Sequence, residues 1–148
     1  MKTESDFREF IALLNKNNVE YLIVGGYAYS FYAEPRFTKD IDFFINRSDE
    51  NAQKLMAALH EFGFDNVGLK ASDFMEPGQM IQLGHAPVRI DIITSIDGVV
   101  FEEAWKNRIQ GNYGDIPAWF ISKNDLLANK RSLGRLQDLA DIDKLEKI

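Results

Sequence analysis

The stretch YLIVGGYAYSFYAEPRFTKDIDFFI, residues 21 to 45, limits the possible folds more than any other part of the chain. VEYLIV, rich in β-branched and aromatic residues, predicts a strand that stops at Gly25-Gly26. YAYSFYAE then predicts a short helix closed off before Pro35, because a residue preceding proline is pushed out of the helical region. KDIDFFIN predicts a second strand. Successive side chains of a strand face opposite ways, so Asp40 and Asp42 share one face while Ile41, Phe43 and Ile45 share the other. Two carboxylates close together on a strand entering a core are costly, unless a cation lies between them.

The rest of the chain reads as helices mixed with strands. SDFREFIALLNKNN predicts a helix with Phe7, Phe10, Ile11 and Leu14 on one face and Ser5 or Thr3 as its cap. A longer helix starts at Ser48, carries Leu55, Ala58, Leu59 and Phe62 as its stripe, and ends at Gly63. After a loop around Pro77-Gly78, MIQLGHAPVRIDIITS predicts two strands joined by a turn at His85-Ala86-Pro87. VVFEEAWKNR predicts a short helix and IPAWFIS a short strand or extended segment. SKNDLLANKRSLG opens on Ser122 in a cap position, with Asp125 three residues on. RLQDLADIDKLEKI offers Leu136, Leu139, Ile142 and Leu145 as the buried edge of a terminal helix. The expected fold is a single α/β (α+β) domain over residues 1–148: a short mixed sheet covered mainly on one side by helices. Its core spans about residues 19–95, and a C-terminal helical part spans about 122–148.

RIDII supplies a third carboxylate, Asp91, between isoleucines that point the other way. If its strand pairs beside the first, Asp91 joins Asp40 and Asp42. Oxygen-only ligands on a rigid strand suit a hard divalent ion such as Mg²⁺, with Mn²⁺ as a substitute, and three carboxylates suit a two-metal site. Gly25-Gly26 falls where a strand opens into a helix, and bare backbone N–H groups there can hold phosphate oxygens. A phosphate cradle beside a carboxylate cluster is the apparatus of phosphoryl or nucleotidyl transfer. Each feature also has a plain structural alternative. The glycines can form a tight turn, and Asp40 and Asp42 a solvated face balanced by Lys39 and Arg36. Asp91 can simply pair with Arg89, two residues earlier on its strand. Arg36 and Thr38 either bind phosphate or shape the loop after Pro35, and Asp138 either orients Lys130 or caps the last helix.

Composition narrows the class. The chain has no cysteine, which excludes disulfides, thiol chemistry and thiolate metal sites. Two isolated histidines, His60 and His85, make neither a metal cluster nor a relay. A net charge of −6 argues against strong independent nucleic-acid binding, although four cations gather between Lys123 and Arg135. The N-terminus lacks a signal pattern, and the longest apolar run falls short of the roughly 20 residues that cross a bilayer. The expected setting is therefore the cytoplasm, without membrane association. Tyr27, Tyr29 and Phe37 are candidates for stacking on a base.

GGYA, RFTKDIDFFI and RIDII together resemble the polymerase-beta-type nucleotidyltransferase superfamily. The wording R-x-T-x-D-I-D and the ending NKRSLGRLQDLADIDKL are similar to its small bacterial branch, which includes the AbiEii-type toxins of toxin–antitoxin and phage-defence systems. The resemblance covers about residues 20 to 95, with a weaker echo at 122 to 145. It implies that Asp40 and Asp42 bind the Mg²⁺ ions carrying a nucleoside triphosphate such as ATP. It further implies that Asp91 binds the second metal and helps deprotonate the attacking hydroxyl, and that Lys130 touches the triphosphate near Gly25, Gly26, Arg36 and Thr38. Many relatives have Gly-Ser at the turn, whereas Tyr27 follows the glycines here, so no hydroxyl is expected next to the cradle. The chain ends at Ile148 without a sizeable second domain, so the acceptor is expected to be small or to sit on a partner's surface. The implied reaction moves a nucleoside monophosphate to a hydroxyl of RNA, protein or a small molecule and releases pyrophosphate. The alternative is a non-catalytic nucleotide-binding module acting through a protein partner or antitoxin. A metal-binding domain without nucleotide chemistry leaves the glycine turn unexplained.

Overall fold

The first helix, α1 (Ser5–Lys16), buries Phe7, Phe10, Ile11 and Leu14 along one stripe, as their spacing requires. The computed structural model describes residues 4–64, 68–85 and 88–148. Glu4 is the N-cap of α1 and makes no side-chain capping bond. Ser5 is thus the first helical residue rather than the cap, and Thr3 lies outside the described residues. β1 (Tyr21–Val24) and β2 (Asp40–Ile45) flank a helix α2 (Gly25–Tyr32) that begins on the two glycines themselves. α3 (Asp49–Phe62) starts where Ser48 accepts a hydrogen bond from the Asn51 amide and stops at Gly63, whose φ of 103° is left-handed.

A 3₁₀ turn at Ala71–Phe74, unanticipated in the sequence, leads to β3 (Met80–His85) and β4 (Val88–Ile93). Of the turn expected at His85-Ala86-Pro87, residues 86 and 87 lie outside the described residues. Then come α4 (Phe101–Lys106), β5 (Ile109–Tyr113), β6 (Ile116–Phe120), α5 (Lys123–Leu133) and α6 (Leu136–Glu146). Ser122 caps α5, accepting from the Asp125 amide as its position predicts. No helix among the described residues is long and apolar enough to cross a membrane.

The strands form one mixed sheet in the order β3-β4-β2-β1-β6-β5. β1 runs antiparallel to β2 and parallel to β6, while β2 runs parallel to β4. All four residues of β1 are buried, the mark of a strand covered on both faces. Tyr21, Ile23, Ile41, Phe43 and Ile45 pack with the apolar stripes of α1 and α3. Leu22, Val24 and Phe44 pack in a second cluster with α2, α4 and α5 and with Leu145 of α6. Helices therefore cover both faces, not mainly one.

One strand was not anticipated and one expected face is wrong, each for an identifiable reason. β5 is an edge strand whose Ile109 and Gln110 are exposed, and only Tyr113 is buried, so it lacks an alternating pattern. α6 is rotated from its expected face. Leu136 and Leu139 are 86% and 54% exposed, whereas Asp138 and Asp141 are both 1% exposed beside Leu145. Ion pairs to Lys130, Arg135 and Arg36 hold those two aspartates inside.

Phe43 meets Phe10 at 5.4 Å and Tyr21 at 5.6 Å, both edge-on, at the centre of the first cluster. Phe43→Ala is expected to destabilise the fold by about 3–5 kcal/mol in urea unfolding. Leu139→Ser on the exposed side of α6 is expected to change stability by less than about 0.5 kcal/mol. A large loss at Leu139 would contradict the observed orientation of that helix.

Candidate active site

Parallel pairing of β2 with β4 sets Asp42 opposite Asp91 and Asp40 opposite Arg89. Since paired residues of neighbouring strands project to the same face, the three aspartates and Arg89 share one side of the sheet. Asp91 is 3% exposed. Arg89 forks across the cluster, its Nε donating to Asp91 Oδ1 at 3.0 Å and its Nη2 to Asp40 Oδ2 at 2.6 Å. Asp40, Asp42 and Asp91 thus share a face of the sheet, and the plain Arg89–Asp91 pairing is present.

Among the described residues Asp42 has no such cation of its own. Burial first, then the Asp91 carboxyl within hydrogen-bonding range and the nearby Asp40, push its pKa up to about 7 against the pull of Arg89. A buried carboxyl in contact with a half-buried one favours a shared proton or a cation between them. Among the described residues no three carboxylates or imidazoles converge as a ligand set, and Arg89 engages two of the aspartates. The donor chemistry nonetheless fits a hard divalent ion: oxygen ligands only, on rigid strands, with negative charge in excess.

Gly25 abuts this cluster and is required there for two reasons. Its φ of +68° is a conformation that side chains disfavour, and a Cβ at this position would collide with Asp42 Oδ2. At Gly26 a Cβ would lie 2.8 Å from Thr38 Cγ2 and 2.9 Å from its Oγ1. α2 starts on Gly25 with Val24 as an N-cap that offers no side-chain bond. Its first amide groups therefore lack partners within the helix. Thr38 packs against Gly26, and its hydroxyl donates to the Arg36 carbonyl at 3.3 Å while its own carbonyl accepts from Tyr27 at 3.3 Å.

The remaining predicted residues divide. A cavity of about 290 Å³ is lined by Gly25, Asp42, Met80, Asn129, Lys130 and Arg135, which places Lys130 and Asp42 on the same cavity. Arg36 instead turns to α6, pairing with Asp141 while its guanidinium stacks 3.7 Å from the Tyr29 ring centroid. Lys130 Nζ donates to Asp141 Oδ2 at 2.8 Å and lies 3.7 Å from Asp138 Oδ1. Asp138 also accepts from the Arg135 amide, so it both faces Lys130 and caps the helix. Asp141 was not singled out in the sequence; its only signal was a second acidic residue one turn after Asp138, on a helix expected to bury leucines. A larger cavity of about 510 Å³, bordered by Asn18, Lys54, Trp105 and Trp119, lies at the other end of β1, away from the aspartates.

This mixed sheet, with a glycine turn opening into a helix beside it, defines an α/β protein of nucleotidyltransferase-like fold. Over residues 5–147 the chain matches the model of the family described as "Nucleotidyltransferase of unknown function (DUF6036)", and it belongs to that family. Its fold is similar to that in the crystal structure of the lincosamide antibiotic adenylyltransferase LnuA in its lincomycin-bound form. That match has a TM-score of 0.61 at 22% identity and covers 99% of this chain and 98% of that one. No curated protein matches the chain.

Gly25→Ala is expected to lower stability by about 1–3 kcal/mol in thermal unfolding, from backbone strain and displacement of Asp42. Wild-type stability in that variant would contradict the close approach. A second expectation concerns acid. Burial alone would raise the Asp141 pKa, but hydrogen bonds from Lys130, Arg36 and Gln137 outweigh it and hold the carboxyl below its usual range. A carboxyl depressed in the folded state stabilises above its unfolded value of about 3.9, and that contribution fades as pH falls through the folded value. Stability measured from pH 6 down to pH 2 should therefore fall less steeply in Asp141→Asn than in the wild type.

Proposed function

We propose that the protein transfers a nucleoside monophosphate from a nucleoside triphosphate to a hydroxyl group of a small molecule, releasing pyrophosphate. The observation that carries this reading is the register pairing Asp42 with Asp91 next to Gly25. Asp40, Asp42 and Asp91 would hold Mg²⁺, which when bound neutralises phosphate oxygens and lowers the cost of the developing charge. The amides opening α2 at Gly25 and Gly26 bind phosphate oxygens, and Thr38 packs beside Gly26. The Asp91 carboxylate takes the proton of the attacking hydroxyl. The new bond forms between the acceptor oxygen and the α-phosphorus, and the bond to the bridging α–β oxygen breaks. Lys130 and Arg135, on the wall of the same cavity, supply positive charge for the leaving phosphates.

A small acceptor is supported by the modest cavity and by likeness over nearly the whole chain to an adenylyltransferase named for its antibiotic substrate. The net charge of −6 makes an RNA acceptor less favourable. A second reading, nucleotide binding without catalysis alongside a protein partner, as toxin–antitoxin systems of the AbiEii type would use, is favoured by one contact. Arg89 engages both Asp40 and Asp91, as it would in a purely structural ion-pair cluster.

Incubation with each α-labelled nucleoside triphosphate, Mg²⁺ and separate pools of hydroxylated small molecules, RNA and protein distinguishes these readings. Label should appear in the small-molecule pool, disappear with EDTA, and fall at least about 100-fold in Asp42→Asn. Nucleotide binding without label in any pool would favour the second reading.

A further inference from the structure

We infer that Asp141, buried on α6, is a positioning residue that aims Lys130 at the triphosphate; the inference rests on the nucleotidyl-transfer reading. α6 exposes Leu136 and Leu139 while burying Asp138 and Asp141. That choice runs against packing, because buried ion pairs are usually no more stabilising than apolar residues of similar volume. Places where a chain breaks such a local rule tend to be functional ones.

The contacts indicate the function. Asp141 receives three donors: Lys130 Nζ at 2.8 Å, Gln137 Nε2 at 2.9 Å and the Arg36 guanidinium. Lys130 has a flexible four-carbon stem and three ammonium protons, so one strong acceptor fixes its direction and leaves protons for other oxygens. Arg36 is clamped between Asp141 and the face of Tyr29, at the start of the loop that carries Thr38 to Gly26. Asp138 holds Arg135 in the same manner, with its Oδ2 2.6 Å from Arg135 Nε. Three cations thus share two carboxylates, and two of the three, Lys130 and Arg135, line the cavity that contains Asp42. Two further carboxylates, Asp42 and Asp97, face that cavity. Phosphate oxygens have the sign and the lone pairs to accept from the remaining N–H groups of Lys130 and Arg135.

The test compares binding of ATP, GTP, CTP and UTP with binding of their parent nucleosides, in the presence of Mg²⁺, by calorimetry. Asp141→Asn keeps the shape of the side chain but not its charge. It is expected to weaken the best triphosphate about tenfold or more while leaving the nucleoside unchanged, as loss of one charge-assisted contact implies. General unfolding would weaken both ligands alike. Gln137→Ala, at an exposed position that keeps the fold, should weaken the triphosphate in the same direction by a smaller factor, and serves if Asp141→Asn does not fold. Unchanged or tighter triphosphate binding in these variants overturns the positioning role while leaving nucleotidyl transfer intact. Failure of the wild type to bind any triphosphate overturns both.

Discussion

The hydrogen-bond register between β2 and β4 governs the rest of the candidate site. Side chains alternate along a strand, so a slip of one residue would turn Asp40 and Asp42 into the cluster occupied by Ile41, Phe43 and Ile45. The isoleucines on either side of Asp91 prevent that slip from the other strand, since Ile90 and Ile92 are both buried in the same cluster. β1 adds the second coordinate. Val24 pairs with Asp42, so the strand ends one residue before the glycine that must accept Asp42 at close range. Apolar burial on one face thereby places carboxylates and backbone amides side by side on the other.

Charge divides the cleft into two walls. On the sheet, three carboxylates meet one guanidinium, Arg89. On the helices, Lys130 and Arg135 are steered by aspartates from α6. A metal-chelated polyphosphate has the complementary polarity, with cation toward the sheet and oxygens toward the helices, and this is why nucleotidyl transfer fits better than metal binding alone. The terminal helix, on this account, belongs to the site as much as the strands do.

Much of this was legible in the residues themselves. The strand at Asp40–Ile45, the caps at Ser48 and Ser122 and the stop at Gly63 depend on local rules, and local rules held. The shared face of the three aspartates was legible only conditionally, because strand order depends on contacts far apart in sequence. What escaped detection had weak or misleading local signals. β5 lies at the sheet edge and buries one residue of five, too few to show a period. On α6, leucine spacing pointed to one face while Lys130, Arg36 and Arg135, brought there by the fold, drew the aspartates in instead. Arg36 was expected at the phosphate but sits against Tyr29 and Asp141, a pairing over a hundred residues apart in the chain that no local pattern encodes.

The central claim is that Asp40, Asp42 and Asp91 form one cation site beside Gly25. Paramagnetic broadening of backbone amide signals by substoichiometric Mn²⁺, in the presence of a nucleoside triphosphate, tests it residue by residue. The account predicts that signals from Gly25, Gly26, Asp40, Asp42 and Asp91 broaden first and recover on addition of excess Mg²⁺. Broadening that begins instead at exposed acidic surface, such as Asp49 and Glu50 on α3, with the sheet signals untouched, would contradict it.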